Sequence, residues 1–333
     1  MKKTLFALLA LGCMTLCGCK NNNQDDNVVS QRYIHKYGYA VSQEEWETKN
    51  YPGQVITSLN NGVTIATTFE NGIKHGPTTL TYPHSQIIEY YSLYTQGNKV
   101  KEISYDPAGI PIEEWIQLSP TRYSITMWYR EGSPMMVEEF AGDELLDGQY
   151  YTLDNTLESR VEKGSGIRVR RDRSGTLVAK ETIEEGSAVK KETFYASGAP
   201  ESIAYYYHEA LNGERRTFAM NGEPLAIEEW INGRLHGKST YFKNGNRYLE
   251  ITYLHGQKNG IERHFIDGDI ISQEITWDND RRHGQSVFFA DGKMESQWFY
   301  EGQAVSKRKF DELNRMDEII SHLPYSEENS GRH

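Results

Sequence analysis

Apolar and polar side chains alternate with a period of two through much of the chain. Between Leu249 and Tyr253, for example, Leu249, Ile251 and Tyr253 fall on one face of an extended strand, and Glu250 and Thr252 fall on the other. Similar runs, rich in Tyr, Phe, Thr and Ile, end at Asn-Gly or Asp-Gly pairs, which favour the tight turns of β-hairpins. The pattern therefore predicts antiparallel strands joined by short turns.

The hairpin pattern repeats at a nearly fixed interval toward the C-terminal end. The aromatic residues Trp230, Tyr253, Trp277 and Tyr300 are 23, 24 and 23 residues apart. A period of that length marks an array of identical supersecondary units. We therefore predict an all-β fold, in which an elongated array of antiparallel β-hairpin repeats over residues 54–305 forms one long twisted sheet.

Both ends of the predicted array differ from the repeats. Residues 31–53 are rich in aromatics but fit no repeat, so we interpret them as an N-terminal cap. Residues 306–324 predict an amphipathic capping helix, with Ser306 as its N-cap and Pro324 at its end. Residues 325–333 are expected to form a disordered tail. The apolar positions of the predicted helix, spaced by three and four, are Phe310, Leu313, Met316, Ile319, Ile320 and Leu323.

The N-terminal 18 residues are typical of an export signal. Lys2 and Lys3 precede an apolar run that is too short to span a bilayer. The sequence Leu-Cys-Gly-Cys that ends at Cys19 resembles the lipobox of bacterial lipoproteins. That resemblance implies cleavage before Cys19 and a lipid thioether on its sulfur. Cys13 is a second candidate for the lipidated residue, and an ordinary secretory signal is the alternative.

Residues 19–30 are expected to form a disordered tether between membrane and fold, because they are mostly polar. Lys20 stands where many inner-membrane lipoproteins carry Asp, which favours delivery to the outer membrane. All three cysteines lie at or before Cys19, so the mature chain would contain no disulfide. We thus expect a lipid-anchored protein of the bacterial cell envelope.

The repeat unit resembles a known family. Asn232–Tyr253, with the sequence NGRLHGKSTYFKNGNRYLEITY, is similar to the variant MORN repeats of bacterial antitoxin-like proteins, whose pattern is close to NGxxxGxxxxYxxNGxxxxExxY. The similarity extends over residues 212–302 and is weaker near residues 71–115. It implies antiparallel hairpins in series that act as a scaffold or binding surface, with no catalytic residue.

Charge and histidine placement bound the possible chemistry. The net charge of −11 argues against a nucleic-acid partner, because phosphate binding needs clustered Lys and Arg. His75, His236 and His283 each precede a glycine at the same repeat position. Successive equivalent positions lie too far apart to share one zinc ion, so we interpret these residues as turn histidines. We expect no metal and no cofactor.

Two further sets of charged residues could carry chemistry. A pair of facing carboxylates would suit a glycosidase, but a carboxylate in every unit predicts a solvated face balanced by Lys and Arg. The segment Gly166–Gly175 carries four arginines and predicts either a bend or a local basic patch. The recurring carboxylates are Glu113, Glu138, Glu181, Glu228, Glu250 and Glu274.

We therefore expect a non-enzymatic repeat scaffold that binds a protein partner at the cell envelope. A hydrolase of envelope glycan or lipid is the alternative, and an antitoxin-like or lipid-binding MORN protein is a further one. The most regular units should place their aromatic residues in aligned rows, where exposed rings could bind the partner. These candidate residues are Trp230, Tyr241, Tyr253, Phe265, Trp277, Phe289 and Tyr300.

Overall fold

The computed structural model describes residues 27–290 and 292–321. The expected signal segment 1–18, the lipidation candidate Cys19 and the expected tail 325–333 lie outside these residues. The described part contains 26 strands and two helices and divides into two compact units after Gly109. Among the described residues, neither helix is long and apolar enough to cross a membrane.

The first unit contains seven strands and one short helix. Strand β1 pairs with β2 and β3, and β3 to β7 pair in chain order, always antiparallel. The elements are β1 Val28–His35, β2 Ala40–Val41, α1 Gln43–Lys49, β3 Gly53–Leu59, β4 Thr64–Glu70, β5 Ile73–Thr81, β6 Ile88–Thr95 and β7 Asn98–Tyr105.

The second unit contains the remaining strands and the second helix. Its strands pair antiparallel in chain order, except that β18 pairs with both β19 and β20. They are β8 Pro111–Gln117, β9 Arg122–Trp128, β10 Pro134–Ala141, β11 Glu144–Tyr151, β12 Leu157–Glu162, β13 Ser165–Arg171, β14 Leu177–Glu184, β15 Ser187–Phe194, β16 Pro200–Tyr207 and β17 Ala210–Phe218. They continue with β18 Pro224–Ile231, β19 Arg234–Leu235, β20 Gly237–Lys243, β21 Asn246–Leu254, β22 Gln257–Ile266, β23 Ile270–Asp278, β24 Arg281–Ala290, β25 Lys293–Tyr300 and β26 Gln303–Val305, followed by α2 Lys307–Ser321. The prediction of an all-β array of antiparallel hairpins with a C-terminal helix is confirmed.

The hairpin of β20 and β21 shows how a tight turn is followed by an extra residue in the strand. Asn244 and Gly245, between β20 and β21, have φ values of 52° and 76°. Positive φ at both positions is what a two-residue hairpin turn requires. The register then shifts, because Phe242 pairs with Arg247 while Tyr241 pairs with Leu249. This β-bulge leaves Tyr248 without a partner of its own and adds one residue to the strand.

The N-terminal segment combines a strand with a helix. Strand β1 begins at Val28, inside the stretch 19–30 expected to be a tether, and is held there by pairing along β3. The short helix α1 begins after Ser42, whose side-chain oxygen accepts a hydrogen bond from the Glu45 N–H at 3.2 Å. Trp46 of α1 is buried. Its ring contacts the rings of two sheet residues, Tyr33 and Phe69.

The chain bends back around the arginine-rich segment Gly166–Gly175. The Arg130 N–H donates to the Arg173 carbonyl at 3.1 Å, which joins the turn after β9 to the turn after β13. The main apolar cluster of the second unit lies in the strands that make this bend. Its buried members are Met136, Leu145, Tyr150, Val161, Val169 and Ile183.

Helix α2 packs on the face of the last strands. The Ser306 side-chain oxygen accepts a hydrogen bond from the Lys309 N–H at 3.2 Å, as expected for the N-cap. The Phe310 ring lies 5.0 Å from the Trp298 ring and 5.3 Å from the His283 ring. The helix thus contacts side chains of β24 and β25.

Buried and half-buried tyrosines connect one repeat with the next. The Tyr129 side chain is 0% exposed, and its hydroxyl donates to the Tyr151 carbonyl at 2.6 Å. In the same way, the Tyr82 hydroxyl donates to the Tyr105 carbonyl and the Tyr195 hydroxyl donates to the Phe218 carbonyl. The regular spacing of these aromatics therefore reflects a side-chain hydrogen bond to the backbone of the following unit.

Replacing Tyr129 by Phe should lower the free energy of unfolding by about 1–3 kcal/mol, because the Tyr151 carbonyl loses its donor. Urea unfolding followed by circular dichroism measures this change. Tyr151→Phe is the matched control, because the Tyr151 hydroxyl donates to the exposed Gln149 side chain. A control variant that loses as much stability as Tyr129→Phe would contradict a specific role for the Tyr129 bond.

Candidate functional site

Strand pairing in the second unit places one residue from each strand in a transverse row. Arg168 pairs with Glu181, Glu181 with Lys191, and Arg215 with Glu228. We call the side of the sheet that carries this row the carboxylate face. Along the later strands the row continues through Ser239, Ile251, Glu262, Ile275, Ser286 and Gln297.

The recurring carboxylates are largely buried, so the prediction of a solvated face is wrong for Glu138, Glu181, Glu228 and Glu250. Glu138 is only 1% exposed. The expected balance by basic side chains is nevertheless present in the structure. Burial makes that balance obligatory, because an unpaired charge away from water costs several kcal/mol, on the order of 3–5.

The best-paired group, the Arg168 cluster, contains Glu138, Tyr150, Arg168, Glu181 and Lys191. The Arg168 guanidinium donates to both Glu138 carboxylate oxygens, at 2.6 and 2.7 Å, and to Glu181 at 3.3 Å. The Tyr150 hydroxyl donates to Glu138 at 2.8 Å, and the Lys191 ammonium lies 3.0 Å from Glu181. One guanidinium therefore holds two buried carboxylates together.

The electrostatics of the Arg168 cluster keep its carboxylate Glu181 ionised. Burial raises the pKa of Glu181, but the Arg168 and Lys191 charges outweigh burial and hold that pKa below its usual value. Burial and the Glu138 charge raise the pKa of Tyr150 far above its usual value, so its hydroxyl stays protonated and donates. Because the charged groups and the Tyr150 hydroxyl are all bonded to one another, the cluster stabilises the bend.

Two other arginines of the bend are also engaged. The Arg171 guanidinium donates to both Glu158 oxygens at 2.9 Å, and Arg173 donates to the Trp128 carbonyl at 3.3 Å. These contacts support the interpretation of Gly166–Gly175 as a bend rather than as a basic patch.

A second buried carboxylate group lies in the last repeats. Glu262 accepts from the Lys258 ammonium at 2.6 Å and contacts the His264 ring nitrogen at 2.7 Å. Burial raises the pKa of Glu262, but hydrogen bonds from Lys258 and His264 hold it below its usual value. Glu262 was missed in the sequence because Ile251 and Ile275 occupy the row position in the neighbouring strands.

Four of the seven predicted aromatic residues lie on the carboxylate face. The Trp230 indole N–H donates to Glu228 at 3.3 Å, and the Tyr241 hydroxyl donates to Glu228 at 3.4 Å. Tyr253 is opposite Gly237. Trp277 occupies the equivalent position one repeat later, with the Lys258 ammonium 4.6 Å from its ring centroid. All four rings are partly exposed.

The other three residues, Phe265, Phe289 and Tyr300, lie on the opposite face, so the seven do not form one aligned strip. Phe265 and Phe289 each follow by one residue a position that shares the face of the row, and the Phe265 ring stacks with the Arg247 guanidinium at 4.0 Å. They occupy the repeat position of Phe242 rather than that of Tyr241.

Tyr300 changes face because the hairpin of β24 and β25 has no bulge. Strands β24 and β25 pair without a register shift, which puts Phe299 opposite Gly284. That position is taken by Trp277 and Tyr253 in the two preceding repeats. The residue at this position is Phe299 rather than Tyr300. The spacing of the aromatics along the sequence does not reveal this difference of one residue.

The histidines occupy separate environments. The His75 ring accepts from the Gln96 N–H at 3.3 Å, whereas the His236 ring contacts His255 and the His283 ring contacts Phe310. Over residues 27–290 and 292–321, no group of three or more His, Cys, Asp or Glu side chains is arranged to hold a metal ion.

Comparison with known proteins yields little. No family model matches the sequence, and no curated protein matches it. Among solved structures, the chain is similar to a chain of the crystal structure of TcdB2-TccC3-Cdc42, with 12% identity and a TM-score of 0.15. The match covers 82% of this chain and 21% of that chain. We infer neither fold nor function from a similarity of this size.

Replacing Arg168 by Met should cost about 3–5 kcal/mol of unfolding free energy near neutral pH, because it leaves Glu138 buried without a cation and Glu181 with Lys191 alone. Arg160→Met is the control, since Arg160 pairs with Glu162 at an exposed position and should change stability by less than about 1 kcal/mol. Urea unfolding measures both variants.

The same measurement repeated across the acid range tests the charge assignment. Because the folded pKa of Glu181 is depressed, its contribution is present above the unfolded pKa and is lost as pH falls through the folded pKa. The gap between the parent protein and Arg168→Met should therefore narrow in acid. A gap that stays constant with pH would show that Arg168 acts through packing alone.

Proposed function

We propose that this protein is a repeat scaffold that binds a protein partner on its carboxylate face while anchored by lipid to the bacterial cell envelope. The observation that supports it most is the recurrence of Trp230, Tyr241, Tyr253 and Trp277 on one face of successive hairpins. Partly exposed Trp and Tyr beside polar groups are the residues from which interaction hot spots are built.

The charged groups around these rings suit a surface that loses water on binding. Glu228 and Glu262 are already bonded within the chain, so a partner would not have to supply a counter-charge for either carboxylate. Lys258 and Arg282 lie over the Trp277 ring at 4.6 and 5.8 Å and hold its orientation. Rings held in place lose little side-chain entropy on binding.

The alternatives have less support. For a hydrolase of envelope glycan or lipid, the strongest candidates are Glu138 and Glu181, and both are bonded to Arg168 rather than placed across an open site. For lipid binding by the repeats themselves, as in a lipid-binding or antitoxin-like MORN protein, the candidate cations are the arginines of the bend, and Arg168 and Arg171 are bonded to carboxylates.

The partner can be found by site-specific photo-crosslinking in the native envelope. A benzophenone amino acid at position 253 should crosslink one defined protein, because Tyr253 lies on the carboxylate face. Position 261 is the matched control, since Ile261 is 40% exposed and, one residue before Glu262 in a regularly paired part of β22, lies on the opposite face. Equal crosslinking at both positions, or crosslinking only at 261, would refute this binding face.

The anchor is tested separately. Cys19→Ser should abolish lipid labelling and membrane retention, because the thioether forms only on sulfur. Metabolic labelling with a radioactive fatty acid, followed by fractionation, measures both. Cys13→Ser is the control and should leave labelling unchanged. Retention of label in the Cys19 variant would exclude that residue as the anchor.

A further inference from the structure

Helix α2 is attached to the sheet along one side. Phe310 packs on Trp298, and the Lys307 ammonium lies 5.6 Å from the centroid of that ring. The Tyr300 hydroxyl donates to the Asp317 carboxylate at 2.6 Å, and this bond raises the pKa of Tyr300 to about 12. Phe310 and Asp317 are two turns apart and therefore share the side of the helix that meets the sheet.

The adjoining side of α2 exposes apolar residues. No residue of the helix is buried. Met316, Ile319 and Ile320 are 48%, 58% and 64% exposed. Large apolar side chains exposed together on one side of a helix mark a surface that contacts another molecule or a membrane.

Three of the four basic residues of α2 lie along the same side as these apolar residues. At spacings of four, three and four, Arg308, Glu312, Arg315 and Ile319 form one line along the helix. Lys309 and Ile320 belong to the neighbouring line through Met316. The acidic residues Asp311 and Glu318 lie on the far side, in line with Lys307. The one acid among the basic residues, Glu312, contacts the Lys309 ammonium at 3.3 Å.

This charge distribution does not serve the helix itself. The first turn contains Lys307, Arg308 and Lys309 and no acid, and the last turn contains no base. The helix dipole favours the reverse arrangement, by about 0.3–1 kcal/mol for each charge. The position of the cations therefore has to be explained by what they face rather than by helix stability.

We propose that α2 is a membrane-contact helix, whose apolar side enters the surface of a bilayer while Arg308, Lys309 and Arg315 bind anionic lipid headgroups. An apolar stripe bordered by Lys and Arg is the arrangement by which helices lie in a bilayer interface. The long basic side chains extend along the apolar stripe to reach the phosphates. The contact is small, so it orients a protein held near the membrane and does not anchor it alone. It depends on α2 and not on Cys19.

A flotation assay with vesicles tests this inference on the chain from Lys20, which lacks the lipid and contains every described element. We expect binding to vesicles of 30% phosphatidylglycerol and 70% phosphatidylethanolamine, and at least about threefold weaker binding to pure phosphatidylcholine. The double variant Ile319→Asn, Ile320→Asn should weaken binding by about tenfold or more, because the apolar insertion is lost. Arg315→Gln should weaken only the phosphatidylglycerol-dependent part.

Met220→Asn is the matched control, because Met220 is 67% exposed in a turn of the second unit far along the chain from α2. It should bind vesicles as the parent chain does. Absence of binding to phosphatidylglycerol vesicles, or equal binding by all variants, would overturn the proposal. So would sedimentation that shows a dimer lost in the double variant without vesicle binding, because a second copy of the chain would then cover the apolar side. None of these outcomes depends on the partner proposed for the carboxylate face.

Discussion

Strand register decides which side chains of this protein share a face, and the buried charges depend on it. Arg168 reaches Glu138 and Glu181 because pairing along β10 to β14 puts all three on one side of the sheet. A shift of one residue in β13 would turn Arg168 away, leaving Glu138 buried without a cation and Glu181 with Lys191 alone. The Arg168 cluster therefore penalises a one-residue slip of β13.

The bulge that follows most hairpin turns sets the second constraint. It adds a residue to one strand of each repeat, so equivalent positions in the sequence stay on the same face from one repeat to the next. The hairpin of β24 and β25 lacks this bulge. Phe299 therefore takes the position of Trp277, and Tyr300 turns to the opposite side, where its hydroxyl bonds Asp317 of α2. Tyr300 can thus contact helix α2 because the strands β24 and β25 lack the extra residue of a bulge.

These two constraints give the faces of the second unit different properties. The carboxylate face combines paired charges with partly exposed Trp and Tyr, which suits recognition of a protein surface. The opposite face of the last strands holds α2, whose free side is apolar and basic. A protein that carried a partner on one face and met a membrane through the helix would use both properties together.

The sequence by itself determined the local structure of this protein. Alternation around Leu249–Tyr253 and the Asn-Gly turns specify antiparallel hairpins, since both depend only on neighbouring residues. The spacing of apolar residues after Ser306 likewise specifies the helix. The sequence also put Trp230, Tyr241, Tyr253 and Trp277 among the candidate site residues, because their spacing follows the repeat.

Only the tertiary structure decided which of those residues meet. The sequence gives no sign that Arg168 reaches Glu138, 30 positions away, because the contact exists only after the strands bend back. The sequence spacing grouped Tyr300 with Trp277, but the structure puts them on opposite faces. A missing bulge changes the face of a side chain while barely changing its spacing in the sequence. Burial of the carboxylates was also missed, because it depends on contacts between distant strands. A recurring Glu is predicted to be solvated until the strands that carry its cations are brought beside it.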